Sequence, residues 1–182
     1  MNELIFATTN SGKAATLQEW FDRYAIDIHV TQRPLDLVEQ QADDALEVAQ
    51  AKAVLAYEQL RAPLVVDDSA FHIPALGGFP GVYQKYIIET IGARGIIKLM
   101  EEVEDRSAYF ISNLVYCDAE SVQHCFSDSH YDGTVAMAYD PQGAYSWGEL
   151  GKILIQRVAL QRADGFVDAY EEFVKWYGES HV

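Results

Sequence analysis

The apolar residues of the chain alternate between short continuous runs and helical spacing. The run Leu4-Ile5-Phe6-Ala7 is typical of a buried strand, and the polar turn after it leads into apolar positions at helical spacing. The pattern predicts strands at 4–7, 27–31, 64–66, 109–116, 123–130 and 134–138, and helices at 17–24, 45–60, 86–91, 95–102 and 164–177. Asp43 or Asp44 is predicted to cap the second helix. Alternating strands and helices, followed by a mostly β segment and a last helix, predict an α/β fold with a mixed sheet flanked by helices.

Length and charge narrow the class of protein. The chain has 182 residues, which fits one domain spanning 1–182. Its 13 basic and 28 acidic side chains give 13 − 28 = −15 at neutral pH, and the acids are spread along the chain. We therefore expect a solvated acidic surface and no nucleic-acid partner, since phosphate backbones are bound by clustered Lys and Arg.

The chain carries no signal of export or membrane insertion. No apolar run approaches the roughly 20 residues that cross a bilayer, and no basic segment followed by an apolar one precedes the first strand. Cys117 and Cys125 form no CxxC pair and are predicted to be free, mostly buried thiols. We expect a cytoplasmic protein without a membrane partner.

The turn after the first strand is the first candidate site. It reads Thr8-Thr9-Asn10-Ser11-Gly12-Lys13. The start of a helix offers free backbone N–H groups that favour an anion, the hydroxyls add donors, and Lys13 adds a positive charge. The turn is no Walker A loop, because its first glycine is missing and Ala14 stands at the position of the Mg²⁺-binding Ser or Thr. The alternative is a capped helix with a solvated lysine.

A pair of carboxylates is the second candidate. Asp67, Asp68 and Ser69 come directly after the predicted strand 64–66, and carboxylates at such strand ends commonly face the ligand crevice of α/β sheets. Both aspartates are candidate ligands of Mg²⁺, and one of them can deprotonate water. The alternative is a turn in which one aspartate is solvated.

Further candidates are weaker when taken alone. Glu39 is a third candidate metal ligand, and Lys52 is a candidate phosphate contact, although both residue types are commonly solvated. Tyr145 and Trp147 could stack on a base or belong to the core. The glycine-rich segment 77–81 predicts a tight loop.

These segments together resemble the inosine triphosphate pyrophosphatase family. Phe6-Ala7 followed by the turn 8–13 is similar to the family's first signature. Asp67-Asp68-Ser69 and then Leu76-Gly77-Gly78-Phe79-Pro80-Gly81-Val82-Tyr83 resemble the second signature in order and spacing. Members hydrolyse non-standard purine nucleoside triphosphates to the monophosphate and pyrophosphate. The resemblance implies an elongated mixed sheet with two lobes, the nucleotide between them, and commonly a homodimer.

The resemblance also implies roles for single residues. It places the triphosphate on residues 8–13 and makes Asp68 the metal-binding catalytic acid that activates water. Ser69 matches a substrate contact, Glu39 a second Mg²⁺ ligand, and Lys52 a lysine that faces phosphate. The implied cofactor is Mg²⁺, and the implied partner is a small-molecule nucleoside triphosphate.

The chain departs from the family where the base is recognised. The family's Gly-Phe-Gly-Tyr/Trp-Asp-Pro corresponds to residues 143–149, where Tyr145 and Trp147 keep an aromatic pair and Glu149 lies one place from the missing aspartate. The family's Ser-His-Arg is reduced to Arg162. Three alternatives follow: a Mg²⁺-dependent pyrophosphatase with the family's substrate or an altered base preference, a nucleotide-binding homologue with weak or no turnover, and a scaffold. Glu149 and Arg162 are the candidates to compensate for the missing recognition residues.

Overall fold

Strands alternate with helices along the first half of the chain, as the hydrophobic pattern predicts. A computed structural model describes residues 2–37, 42–128, 131–143, 148–156 and 167–181. The strands are β1 (Asn2–Phe6), β2 (Ile28–Gln32), β3 (Leu64–His72), β4 (Pro80–Gly81), β5 (Ser107–Cys117), β6 (Gln123–Ser127), β7 (Tyr131–Val135) and β8 (Leu154–Gln156). The helices are α1 (Ser11–Arg23), α2 (Ala45–Leu60), α3 (Gln84–Thr90), α4 (Gly92–Leu99) and α5 (Ala169–His181), with short 3₁₀ helices at Pro74–Leu76 and Gly148–Lys152. The predicted α/β fold with a mixed sheet is confirmed.

The chain divides into two compact units. Unit 1 comprises Met1–Asp68, Ser112–Ser129 and Val167–Val182. Unit 2 comprises Ser69–Ile111 and His130–Phe166. The long strands β3 and β5 contribute residues to both units.

Unit 1 is built on parallel strands. β1 pairs in parallel with β2 and with β3, and β5 pairs antiparallel with β6. Because side chains alternate across a strand, one sheet face packs with α1 and α5 around Phe6, Phe21 and Phe173, and the other packs against α2. The small residues Ala49 and Ala53 of α2 are fully buried there, in one cluster with Leu64 and Val66 of β3.

Unit 2 is built on antiparallel strands. β7 pairs with β5 and with β8, and β4 pairs with β3. Its core includes the buried side chains of Phe71 and Ile153. Arg106 donates to three carbonyl oxygens, those of Met100, Val135 and Ala136, and so joins the chain before β5 to the end of β7.

Strand β3 is longer than predicted. The predicted strand ended at Val66, whereas β3 continues to His72 and contains Asp67, Asp68 and Ser69. The alternative of a turn with a solvated aspartate is therefore wrong. The strand continues because Asp67 finds donors inside unit 1, as shown below, and because Ala70 and Phe71 beyond it are fully buried.

Smaller predictions have mixed outcomes. Asp44 caps α2, since its side chain accepts the N–H of Leu46 at 2.8 Å. The two cysteines are free, and Cys117 is buried, but Cys125 is exposed. The glycine-rich segment forms the predicted tight loop, with Gly77 and Gly81 at positive φ, where a side chain is strained. Among the described residues, no helix combines the length and the apolar character needed to span a bilayer.

Candidate active site

The turn between β1 and α1 is organised by Asn10. The side-chain Oδ1 of Asn10 accepts the backbone N–H groups of Gly12 at 2.9 Å and of Lys13 at 3.3 Å, which caps α1. Thr8 Oγ1 accepts the N–H of Asn10 at 3.1 Å. The helix cap considered from the sequence is thus present, and it shapes the turn that was predicted to hold an anion.

Lys13 points from this turn to strand β3. Its Nζ donates to Oδ1 of Asp67, and its side chain is 29% exposed. The alternative of a solvated lysine is therefore wrong. Thr9 and Ser11 are exposed, so their hydroxyls stay accessible beside a lysine that is fixed at one end by a carboxylate.

Asp67 is the buried centre of the site. Its relative exposure is 2%, and it receives donors from three elements. Lys13 binds one carboxylate oxygen, and the hydroxyl of Tyr170 on α5 donates to the other. Lys52 Nζ on α2 donates to the backbone carbonyl of Asp67 at 3.1 Å. A buried carboxylate needs such partners, because an unpaired buried charge is strongly destabilising.

Asp68 is the more accessible of the two aspartates. Its side chain is 18% exposed, and its Oδ1 lies 3.9 Å from Lys52 Nζ. Lys52 therefore contacts both aspartates, one through the backbone and one through the carboxylate. The sequence predicted that Lys13, Lys52, Asp67 and Asp68 belong to one site, and the structure brings these four side chains together in unit 1.

Ser69 follows in unit 2. Its carbonyl accepts a hydrogen bond from Gln84 Nε2 on α3 at 2.7 Å, which fixes the backbone of β3 beyond the aspartates. Because the carbonyl can only accept, this contact also assigns the two ends of the Gln84 amide. Sequence reasoning did not single out Gln84.

Most of the predicted base-side residues and the predicted second metal ligand cannot be placed relative to these contacts, because the structure does not describe them. Glu39, Tyr145, Trp147 and Arg162 lie outside the described residues. Glu149 lies in unit 2, where it accepts from Lys152 Nζ and from the hydroxyl of Tyr139. Its carboxylate is therefore already engaged by neighbouring side chains.

Sequence reasoning missed Tyr170. Burial, reinforced by the Asp67 carboxylate, raises the pKa of Tyr170 well above its usual value, so that its hydroxyl remains a donor. The only available signal was a tyrosine among the apolar positions of the predicted last helix, and its partner lies 103 positions away in the chain.

Asp128 was missed as well. Its carboxylate accepts the N–H groups of Ala169 at 2.6 Å and of Ser112 at 3.2 Å, and so joins the end of β6 to α5. Burial, with contributions from the Asp168 and Asp67 carboxylates, raises the pKa of Asp128 to about 7.

The carboxylate oxygens of this site meet only part of what a hard cation such as Mg²⁺ requires of its ligands. Within the described residues, no group of three His, Cys, Asp or Glu side chains converges as a ready-made metal site. Mg²⁺, however, is commonly held by one or two carboxylates together with substrate phosphates and water. The partly exposed carboxylate of Asp68 fits that requirement.

Unit 1 combines parallel strands, a lysine-bearing turn after the first strand and paired aspartates on the adjacent strand. This combination is typical of proteins that bind phosphorylated ligands. Comparison with known proteins makes the class specific: the chain belongs to the Ham1 family, which matches residues 4–150. The predicted base-recognition residue Arg162 lies beyond that match.

Curated relatives agree with the resemblance noted in the sequence. The chain is 32% identical over 187 residues to a protein of Methanosarcina acetivorans named dITP/XTP pyrophosphatase, covering 97% of this chain and 98% of the relative. It is 34% identical over 146 residues to inosine triphosphate pyrophosphatase 1 of Trypanosoma cruzi, covering 80% and 72%. Both names denote hydrolases of nucleoside triphosphates, and the predicted family is confirmed.

Solved structures of the same family share the fold. A HAM1 protein from Coxiella burnetii superposes with a TM-score of 0.74 at 20% identity, covering 99% of this chain and 100% of the other. The Ham1 protein of Staphylococcus aureus superposes with a TM-score of 0.72 at 19% identity, covering 98% and 99%.

Proposed function

We propose that this protein hydrolyses a non-standard purine nucleoside triphosphate, of the inosine or xanthosine type, to the nucleoside monophosphate and pyrophosphate. The reaction would depend on Mg²⁺ and would remove such nucleotides from the nucleotide pool. The observation that carries the proposal is the convergence of two lysines, Lys13 and Lys52, on the consecutive aspartates of β3. The names of the relatives support the choice of substrate.

The proposed triphosphate site is the turn 8–13 with its two lysines. A nucleoside triphosphate carries several negative charges, whereas the chain as a whole carries −15. Binding therefore requires local positive charge, which Lys13 and Lys52 supply, while the exposed hydroxyls of Thr9 and Ser11 add neutral donors. Ser69 is assigned as a further substrate contact, as the resemblance implies.

Asp68 is the proposed general base. It takes a proton from water as the water oxygen bonds to the α-phosphorus, and the bond from that phosphorus to the bridging oxygen breaks, so that pyrophosphate leaves with the electron pair. Lys52 Nζ lies 3.9 Å from Oδ1 of Asp68 and places a positive charge beside the proposed base. The developing negative charge on the phosphates is stabilised by Lys52, whereas Lys13 contacts phosphate in the ground state and in the transition state alike.

Mg²⁺ would be held by Asp68, by Glu39 and by phosphate oxygens, and when bound it would neutralise phosphate charge. Asp67 was a candidate ligand from the sequence, but its contacts favour the different role argued below. The base is assigned to Tyr145, Trp147 and Arg162 by the resemblance. A homodimer and a cytoplasmic location also remain predictions.

The test is a screen of pyrophosphate release. The purified protein is incubated with standard and modified nucleoside triphosphates, with Mg²⁺ or with EDTA. Release from inosine or xanthosine triphosphate that requires metal supports the proposal. Release from another nucleotide means that the base pocket has a different preference. Silence across the panel contradicts the proposal and favours the binding or scaffold alternatives.

Asp68→Asn tests the assigned base. We expect this variant to keep its fold and to lose nearly all turnover, because an amide cannot take the proton. The exposed Asp43→Asn in the same unit makes the same change of charge away from the site, and it should keep wild-type activity. Equal turnover in the two variants would remove Asp68 from the mechanism.

A further inference from the structure

We propose that Tyr170 is a positioning residue of this site, whose hydroxyl fixes Asp67 as the anchor of Lys13. This inference rests on the proposed function, because Lys13 is taken to contact the triphosphate. It assigns Asp67 to the protein's own hydrogen-bond network instead of the metal, and it gives α5, at the far end of the chain, a part in substrate binding.

The contacts of Asp67 carry the first step. Tyr170 and Lys13 each donate to a different oxygen of its carboxylate, and Lys52 holds its backbone carbonyl at 3.1 Å. Asp67 is 2% exposed. A cation that used this carboxylate would have to compete with the two donors already bound to it, whereas the side chain of the neighbouring Asp68 is 18% exposed.

The placement of Tyr170 carries the second step. Tyr170 lies in the first turn of α5, and two carboxylates fix that turn. Asp128 accepts the N–H of Ala169 at 2.6 Å, and Asp168 accepts the N–H of Glu171 at 3.1 Å. The ring of Tyr170 packs in the core of unit 1 and is 8% exposed, so that its hydroxyl is held at one place.

The consequence falls on Lys13. A carboxylate held by a donor on one oxygen presents the other oxygen in a fixed direction, and a hydrogen bond to a charged group is stronger than one between neutral groups. The lysine ammonium bound to Asp67 Oδ1 is thereby kept beside the turn 8–13. Without the hydroxyl, one oxygen of the carboxylate loses this donor, and the hold of Asp67 on Lys13 is weakened.

Tyr170→Phe is the direct test, because it removes only the hydroxyl. Lys13 contacts phosphate in the ground state and in the transition state alike, so we expect KM for the nucleotide to rise roughly tenfold with kcat little changed. A merely structural role would lower the amount of active protein, which reduces kcat at constant KM. Equal KM values in the variant and the wild type would overturn the inference.

Tyr177→Phe is the matched control. Tyr177 lies on the same helix, is also 8% exposed and packs on Tyr116 in the same core. The Tyr177→Phe substitution also removes a hydroxyl from a buried side chain, and it should leave KM unchanged. A second control is Tyr170→Phe made in a Lys13→Met background: if Tyr170 acts through Lys13, KM should show no further rise. A full additional rise would contradict the inference.

Calorimetric binding of inorganic tripolyphosphate separates this inference from the proposed function. We expect Tyr170→Phe, but not Tyr177→Phe, to weaken tripolyphosphate binding roughly tenfold. If the wild type hydrolyses no nucleotide but shows this difference, the inference stands and the proposed function fails. If the wild type binds no tripolyphosphate, the inference is overturned.

Discussion

Lys52 contacts two consecutive residues of β3. Its Nζ donates to the carbonyl of Asp67 and lies 3.9 Å from the carboxylate of Asp68. The side chain of Lys52 extends from α2 toward β3, and the buried alanines of α2 pack in one cluster with residues of β3. This geometry places the lysine beside the proposed base, and the same lysine is the proposed phosphate contact.

We expect Lys52→Met to lower kcat/KM for pyrophosphate release by roughly tenfold to a hundredfold, since it removes a charge next to the reacting phosphates. Methionine keeps most of the length and apolar character of the stem, so thermal unfolding should change little. Lys98→Met, an exposed position on α4, is the control. A Lys52 variant as active as the Lys98 variant would contradict the role.

The sequence identified most of the charged residues of the site but not how they are held. Lys13, Lys52 and Asp68 follow from strand ends and from the resemblance, and the structure brings them together. The network behind them depends on Tyr170, whose contact spans 103 positions and leaves no local pattern. Burial of the Asp67 carboxylate likewise depends on the packing of α5, which single-sequence reasoning cannot supply.

At the scale of elements, local chemistry was predicted well and strand length was not. Asp44 caps α2 as expected, because a capping side chain acts within three residues. β3 runs on to His72 because its charged residues find partners from α1, α2 and α5. The predicted strand ended at Val66 because polar residues follow it. The observed strand continues because tertiary contacts satisfy those polar residues.

Gly143 gives a prediction for the connection between β7 and β8. A Cβ built there would lie 2.8 Å from the carbonyl oxygen of Gly151 and 2.9 Å from Cα of Lys152. These are backbone atoms that cannot rotate away, so Gly143→Ala should destabilise unit 2 by about 1–3 kcal/mol. Thermal or urea unfolding measures the change.

Gly178→Ala is the matched comparison. Its Cβ would meet Cδ1 of Ile26 at 2.6 Å, which is the flexible end of a side chain. Alanine is also favoured over glycine inside a helix by about 1 kcal/mol, so the two effects should nearly cancel. If the two substitutions changed the free energy of unfolding equally, the requirement for glycine at position 143 would not come from the close backbone atoms.

The net charge of −15 destabilises the folded protein through repulsion between its acidic side chains. These side chains differ in how far solvent screens them. Most of the acidic side chains that the structure describes are exposed, as the sequence predicts, but Asp128 is partly buried where β6 meets α5. Its neighbours include the carboxylates of Asp168 and Asp67, and together with burial they raise the pKa of Asp128 to about 7. This acid therefore couples the stability of unit 1 to pH.

The sign of that coupling follows from the two states. The ordinary pKa of the group is 3.8, so between about pH 4 and pH 7 the folded protein keeps a proton that the unfolded chain releases. The contribution of Asp128 to the free energy of unfolding is highest below pH 4, falls as pH rises to about 7, and is constant above it. We expect Asp128→Asn to lack this fall, so that its stability relative to wild type improves by about 1–3 kcal/mol from pH 5 to pH 8.

Urea unfolding in EDTA at several pH values measures this difference. Asparagine accepts only one of the two backbone N–H groups that Asp128 accepts, but that loss does not depend on pH and leaves the slope intact. Asp105→Asn is the control. The hydrogen bond from the Ser107 N–H lowers the pKa of Asp105, so Asp105 takes up its proton only below pH 4. Its difference from wild type should be flat between pH 5 and pH 8, and an equally flat result for Asp128→Asn would mean that Asp128 is ionised in the folded protein throughout.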